Sequence, residues 1–174
     1  MKKFFSIAFI FSICMIFFCI TTITQAQTYE VFTYAYTSIP TSDGNYIYGI
    51  RITDCDTSVS GSLKIPHMID GDNVVSISYN AFYNCNSLTD ITLGANLVHI
   101  DNFAFSYCQN LENIYTDENN SYFFSENGVL FNKEKTALIQ YPLGKTDPEY
   151  TVPDCVTNIG CNTFSYHKNI KEVT

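Results

Sequence analysis

The 174-residue chain has no tryptophan and few cations: 9 Lys and Arg stand against 17 Asp and Glu, a formal net charge of −8. Two of the cations, Lys2 and Lys3, sit at the extreme N-terminus. No basic run exists beyond them, and a nucleic-acid groove or a surface for anionic membranes needs clustered Lys and Arg. No nucleic-acid partner is therefore expected, and the acidity reads as a solubility feature. There is no HExxH motif, no EF-hand spacing, no phosphate loop and no dinucleotide fingerprint. No metal and no cofactor is expected. The acidic pairs Asp54/Asp56, Asp70/Asp72 and Asp117/Glu118 read as solvated loops. The three histidines, His67, His99 and His167, are too far apart in sequence to suggest a zinc site.

What is present begins with an apolar run from Phe4 to Ile20, preceded by the two lysines and followed by Thr24-Gln25-Ala26. A basic head, an apolar middle and a small-residue exit read as a secretory signal peptide over residues 1–26. A retained anchor is the competing reading, because the run approaches the roughly 18 apolar residues of a spanning helix. Cleavage is favoured, which leaves no membrane insertion and a secreted, extracellular or cell-surface chain. Ile16-Phe17-Phe18 before Cys19 argues against lipid attachment there.

Two stretches of the chain repeat one another. Ile77, Ala81, Phe82, Cys85, Leu88 and Ile91 recur as Ile100, Ala104, Phe105, Cys108, Leu111 and Ile114, each pair offset by 23. A fixed period in the twenties predicts a repeat solenoid of leucine-rich-repeat type, β-rich, with right-handed coils. Ile159, Phe164, Ile170 and Val173 make a third copy, each offset from its counterpart in the second by 59. That offset exceeds two periods by more than half a period, so one coil is expected to be replaced by an enlarged island over residues 116–150. Within it Gly128–Phe131 and Ala137–Tyr141 read as strands of a hairpin.

Residues 27–60 are expected to form an N-terminal capping hairpin, because apolar alternation flanks Ser42-Asp43-Gly44-Asn45. A solenoid end exposes its core and needs such a cap. The repeat domain then runs over 61–174, with extra residues bulging around His67–Gly71. Its last coil stops at Val173-Thr174 without a polar cap, whether the chain is whole or truncated. An open edge strand there offers a route to self-association.

Leu88, Ile91 and Leu93 place one strand of the coil, and Ala-Phe-x-x-Cys places the return side as a short helical turn. The repeated apolar residues point inward. Five cysteines follow residue 26, namely Cys55, Cys85, Cys108, Cys155 and Cys161, an odd number that cannot form a closed disulfide framework. Cys85 and Cys108 stack in neighbouring coils about 4.8 Å apart, within bridging reach. Their side chains run parallel, which favours buried free thiols, whereas Cys155 and Cys161 are close enough for a local bridge. His99 beside Asp101 invites a triad with Cys108 or Ser106, but an inward Cys108 removes the nucleophile. The chain is expected not to be an enzyme.

With these residues in view, the chain resembles the BspA-like leucine-rich-repeat family. The family pattern approximates Leu-x-x-Ile-x-Ile-Pro-x-x-Val-x-x-Ile-Gly-x-x-Ala-Phe-x-x-Cys. The matching residues are Leu88, Ile91, Leu93, Leu97, Ile100, Ala104, Phe105 and Cys108. Gly94 stands at the usual proline, Thr163 at an alanine and His167 at a cysteine. The resemblance implies a secreted or surface-displayed, non-enzymatic protein that mediates protein–protein contact. Adhesion to host extracellular-matrix proteins or to other cells is the implied use; a self-associating structural envelope or matrix component, or a truncated fragment of a larger adhesin, is the alternative. The repeat register places Asp90, Thr92, Asn113, Tyr115 and Glu172 in outward columns of one sheet, the candidate protein-contact residues. Tyrosine is the compositional excess, 13 in all, and Tyr83, Tyr107 and Tyr166 flank the phenylalanine positions on the return side.

Overall fold

The computed structural model describes residues 27–174; the signal-peptide segment 1–26 lies outside the described residues. Strands β1 (Gln27–Tyr29), β2 (Phe32–Pro40) and β3 (Tyr46–Cys55) form an antiparallel meander. One face of β2 and β3 carries Phe32, Tyr34, Ile50 and Ile52, which are buried at the base of the hairpin, and Tyr36, Tyr46 and Tyr48, which face water toward its tip. Strand β4 (Gly61–Lys64) opens the first coil, and β5 (Met68–Ile69) turns into β6 (Asp72–Ile77). The bulge expected around His67–Gly71 is thus a tight hairpin, with Asp70 and Gly71 at positive φ.

Strands β7 (Leu88–Leu93), β8 (His99–Ile100) and β9 (Asn113–Thr116) follow. Two parallel ladders run along the stack. On one side β3 pairs β6 and β6 pairs β8; on the other β4 pairs β7 and β7 pairs β9. Register keeps repeat positions together: Ile77 faces Ile100, and Ile91 faces Ile114. Between the ladders, Ala81, Phe82, Cys85, Leu88, Ile91, Leu93 and Leu97 are each fully buried. The Phe82 and Phe105 rings stack at 5.4 Å, and Phe32 caps Phe82 edge-on at 6.3 Å. The hairpin therefore continues the solenoid core. The return sides are hydrogen-bonded turns, and no helix occurs among the described residues. Left-handed residues explain the difference. Asn80 and Asn84, and at the equivalent places Phe103 and Tyr107, have φ near +60°, which a right-handed helix forbids.

The segment 116–150 does more than carry one hairpin. Strand β10 (Phe123–Glu126) pairs β11 (Val129–Asn132) around Asn127-Gly128, both at positive φ, and β11 pairs β12 (Ala137–Gln140). Then β13 (Glu149–Tyr150) pairs β15 (Glu172–Val173) in parallel, and β12 pairs β14 (Asn158–Ile159) in parallel. Residues 136–158 are thus a fourth coil, and 159–174 a fifth. Tyr141 is the fourth coil's member of the phenylalanine row, at an offset of 59 from Phe82 and packed on Phe164 at 5.4 Å with the rings tilted by 36°. Only three steps separate Leu138 from Tyr141, against five from Ile77 to Phe82. This shortened corner opens a cleft of about 280 Å³ lined by His99, Asp101, Asn102, Gln140, Cys161 and Asn162, among others.

Candidate interaction surface

The outward side of the β4–β7–β9 sheet carries two rows. Ser62, Asp90 and Asn113 lie in one, and Lys64, Thr92 and Tyr115 in the next. Parallel pairing sets this alignment, because equivalent residues of successive coils become lateral neighbours on the same face. The first row is turned on itself. Ser62 Oγ and Thr89 Oγ1 donate to Asp90 Oδ2 at 3.1 and 2.7 Å, and Asn113 Nδ2 donates to Asp90 Oδ1 at 2.8 Å. These donors, Thr89 first, hold the Asp90 carboxyl below its ordinary range. Asp90 and Asn113 therefore brace the ladder, and Asp90, with both carboxylate oxygens engaged, has little hydrogen-bonding capacity left for a partner. In the second row Tyr115 is 45% exposed and Lys64 is exposed.

Glu172 does not extend this sheet. It lies in the separate β13–β15 pair, opposite Glu149. Strand β9 has no fourth-coil neighbour because the β10–β11 hairpin takes its edge: Ile114 N–H donates to Gly128 C=O at 2.9 Å, and Ser125 Oγ donates to Ile114 C=O at 2.5 Å. The repeat register could not reveal this break, since it carries no information about a hairpin folding back on a strand edge. Asn127-Gly128, a favoured two-residue hairpin turn, was the available signal.

The chemically suggestive residues are held by structural contacts. His99 Nε2 meets Asp101 Oδ1 at 2.8 Å, and Arg51 Nη1 lies 3.6 Å from Asp101 Oδ2. Both His99 and Asp101 line the cleft, yet no hydrogen bond joins His99 to a cysteine or serine among the described residues. Cys108 Sγ is buried and donates to Phe82 C=O at 2.9 Å. Cys161, also in the cleft, occupies in the fifth coil the position of Asn102 in the third, two coil spacings away. Cys55, Cys85 and Cys108 are buried free thiols, and Cys155 and Cys161 are exposed free thiols, so no local bridge forms. Contact with Cys85 and burial push the Cys55 and Cys108 thiols far above the ordinary range, which makes them poor nucleophiles. Among the described residues no group of three His, Cys, Asp or Glu is placed to hold a metal, and no helix is long and apolar enough to cross a membrane.

His167 fills the cysteine position of the fifth coil. Its Nε2 donates to Tyr141 C=O at 3.1 Å, repeating in the later coil pair the bond from Cys108 to Phe82. Burial lowers its pKa, and Nδ1 is left without a partner. In the fourth coil the same position is Gly144. A Cβ there would sit 2.6 Å from the Asn110 carbonyl carbon, so the backbone approach admits glycine alone.

Residues 56–140 match the BspA-type leucine-rich repeat region in six copies. This chain carries a BspA-type leucine-rich repeat domain. It is similar to a leucine-rich repeat protein of Eubacterium ventriosum, with 31% identity over 66% of this chain and a TM-score of 0.57. That alignment spans 32% of the Eubacterium protein, about a third of its length. It shares its fold with the Treponema pallidum leucine-rich repeat protein: 22% identity, 86% of this chain, 71% of that one, TM-score 0.54. Curated proteins give no match. The BspA-type repeat is a protein-interaction scaffold by class, and its solenoid is β-rich with about five turns.

Proposed function

We propose that this protein is a secreted or surface-exposed, non-enzymatic interaction module that binds a protein partner, with host matrix protein as the leading class. The observation that carries this reading is the second outward row, Lys64, Thr92 and Tyr115. It is an open strip on a parallel sheet whose neighbouring polar row is drawn inward onto Asp90. Repeat solenoids use such extended faces for recognition, and a half-exposed tyrosine provides apolar area with a polar tip. Asp90 and Asn113 orient the strip, Thr92 and Tyr115 contact the partner, and Glu172 lies on a separate patch.

Interferometry of the purified chain against immobilised matrix proteins tests the reading. Saturable binding should weaken about tenfold or more in Tyr115→Ala, as for an aromatic anchor. A folded protein that binds none of them, or binds equally well without Tyr115, would count decisively against it.

A second reading, self-association through the fifth coil, is favoured by one observation. Val173 is 40% exposed although its counterpart Ile114 is fully buried, and Ile159 is 47% exposed where Ile100 is half-buried. Light scattering should then show a dimer that Val173→Lys dissociates; a monomer at all concentrations would remove this reading.

A further inference from the structure

The shortened fourth coil leaves a second opening, on the return side and away from the sheet strip. Tyr107, Gln109, Leu143, Tyr166, Lys168 and Asn169 line a groove of about 300 Å³. The column Asn84, Tyr107, Leu143, Tyr166 occupies one repeat position in successive coils. Leu143 is the low point, and the Tyr107 and Tyr166 rings meet across it at 4.7 Å and 33°. Tyr83 extends the row, 5.3 Å from Tyr107. Tyr83 and Tyr166 are 48% and 56% exposed; Tyr83 meets Tyr107 edge-on and Tyr166 lies against Tyr107, so the free surface of Tyr166 is the aromatic face that the groove presents to solvent.

Backbone conformation sharpens the point. This position is left-handed in three of the coils, with φ of +63° at Asn84, +62° at Tyr107 and +65° at Tyr166. Asparagine tolerates that region; a bulky ring there is strained by about 1 kcal/mol or more. Two coils nevertheless carry tyrosine where asparagine fits better. Charge adds a direction. The chain holds 17 acidic residues, yet none lines this groove or the adjoining notch of Ser106, Gln140, Asn162 and Ser165. Lys168, the groove's cation, forms no ion pair among the described residues.

We infer that this groove binds a carboxylate-bearing sugar, with the ring packed on the exposed face of Tyr166 and the carboxylate facing Lys168. A sugar presents C–H bonds to an aromatic face and hydroxyls to the Gln109 amide and nearby serine hydroxyls. A neutral sugar would use the aromatic face but not the cation. Uronic and sialic acids share the required chemistry.

Intrinsic fluorescence and saturation-transfer NMR provide the test, since without tryptophan the emission reports tyrosine. Chain produced from its full coding sequence is titrated with sialyllactose, a chondroitin disaccharide and lactose. One acidic sugar at least should bind about two- to fivefold more tightly than lactose, the scale of one exposed charge pair; which one identifies the source. Lys168→Gln should erase that preference. Tyr166→Asn installs the residue of the equivalent second-coil position, so it should melt no lower than the parent while losing about tenfold in sugar affinity. Tyr115→Ala should leave sugar binding unchanged, which separates this site from the sheet strip. The inference is overturned if no sugar saturates by roughly 10 mM. It is equally overturned if lactose binds as well as the acids, or if Tyr166→Asn impairs only a sugar-free protein partner.

Discussion

The second and third coils and the fourth and fifth coils are one arrangement built twice. Phe82 stacks on Phe105 at 5.4 Å, and Tyr141 packs on Phe164 at 5.4 Å. Phe82 N–H donates to Ala104 C=O, and Tyr141 N–H to Thr163 C=O. A thiol bridges the first pair and an imidazole the second. The geometry survives while the chemistry turns polar and wetter: Phe105 is buried whereas Phe164 and Ile170 are only partly so. Position in a coil therefore dictates where a side chain goes, and the neighbouring coils dictate how much that placement stabilises.

Truncation should break the comparison most sharply. Phe82→Ala removes a fully buried ring between two others and should cost about 3–5 kcal/mol in denaturant melts. Against a typical total of about 5–15 kcal/mol, that comes close to unfolding the chain. Phe164→Ala, at a half-covered site, should cost about half as much. Equal losses would mean that the two coil pairs are equally packed. Gly144→Ala is next: the Asn110 backbone must yield to the new Cβ, at about 1–3 kcal/mol by the same melts.

Acid should separate the pairs without mutation. Burial depresses the His167 pKa below that of the unfolded chain, about 6.5. The unfolded chain then binds the proton more readily, so this contribution is intact above about pH 6.5 and is lost as pH falls toward the folded value. The melting temperature should drop across that window, and His167→Cys, which restores the thiol of the earlier coils, should flatten the drop. A parallel drop in both proteins would locate the titration elsewhere. The smallest perturbation is thiol labelling under native conditions. Of the five cysteines after residue 26, Cys155 and Cys161 should react at once, and Cys55, Cys85 and Cys108 only on unfolding.

Much of the fold was legible. The repeat spacing of 23 placed Phe82, Cys85, Leu88 and Ile91 in the core because coils of equal length put equal positions in contact. Alternation around Asp43-Gly44 identified the first hairpin for the period-two reason. The fourth coil was hidden because Tyr141 and Gly144 replace phenylalanine and cysteine, and a pattern of residue types cannot see a backbone path that persists beneath them. The contact face was legible only in part. Register aligned Asp90 with Asn113 and Thr92 with Tyr115. It could not tell that the first row turns its donors onto Asp90, or that Glu172 lies beyond a break in the ladder.

Period and inward pattern sufficed to establish a repeat solenoid, its buried thiols and its phenylalanine row, because these depend on spacing along one chain. Three-dimensional packing settled the rest: the hairpin on the β9 edge, the cleft at the shortened corner, and the Tyr107–Tyr166 contact across Leu143. Each is an encounter between residues far apart in sequence, and the shortening of one coil is felt only where its neighbours close over the gap.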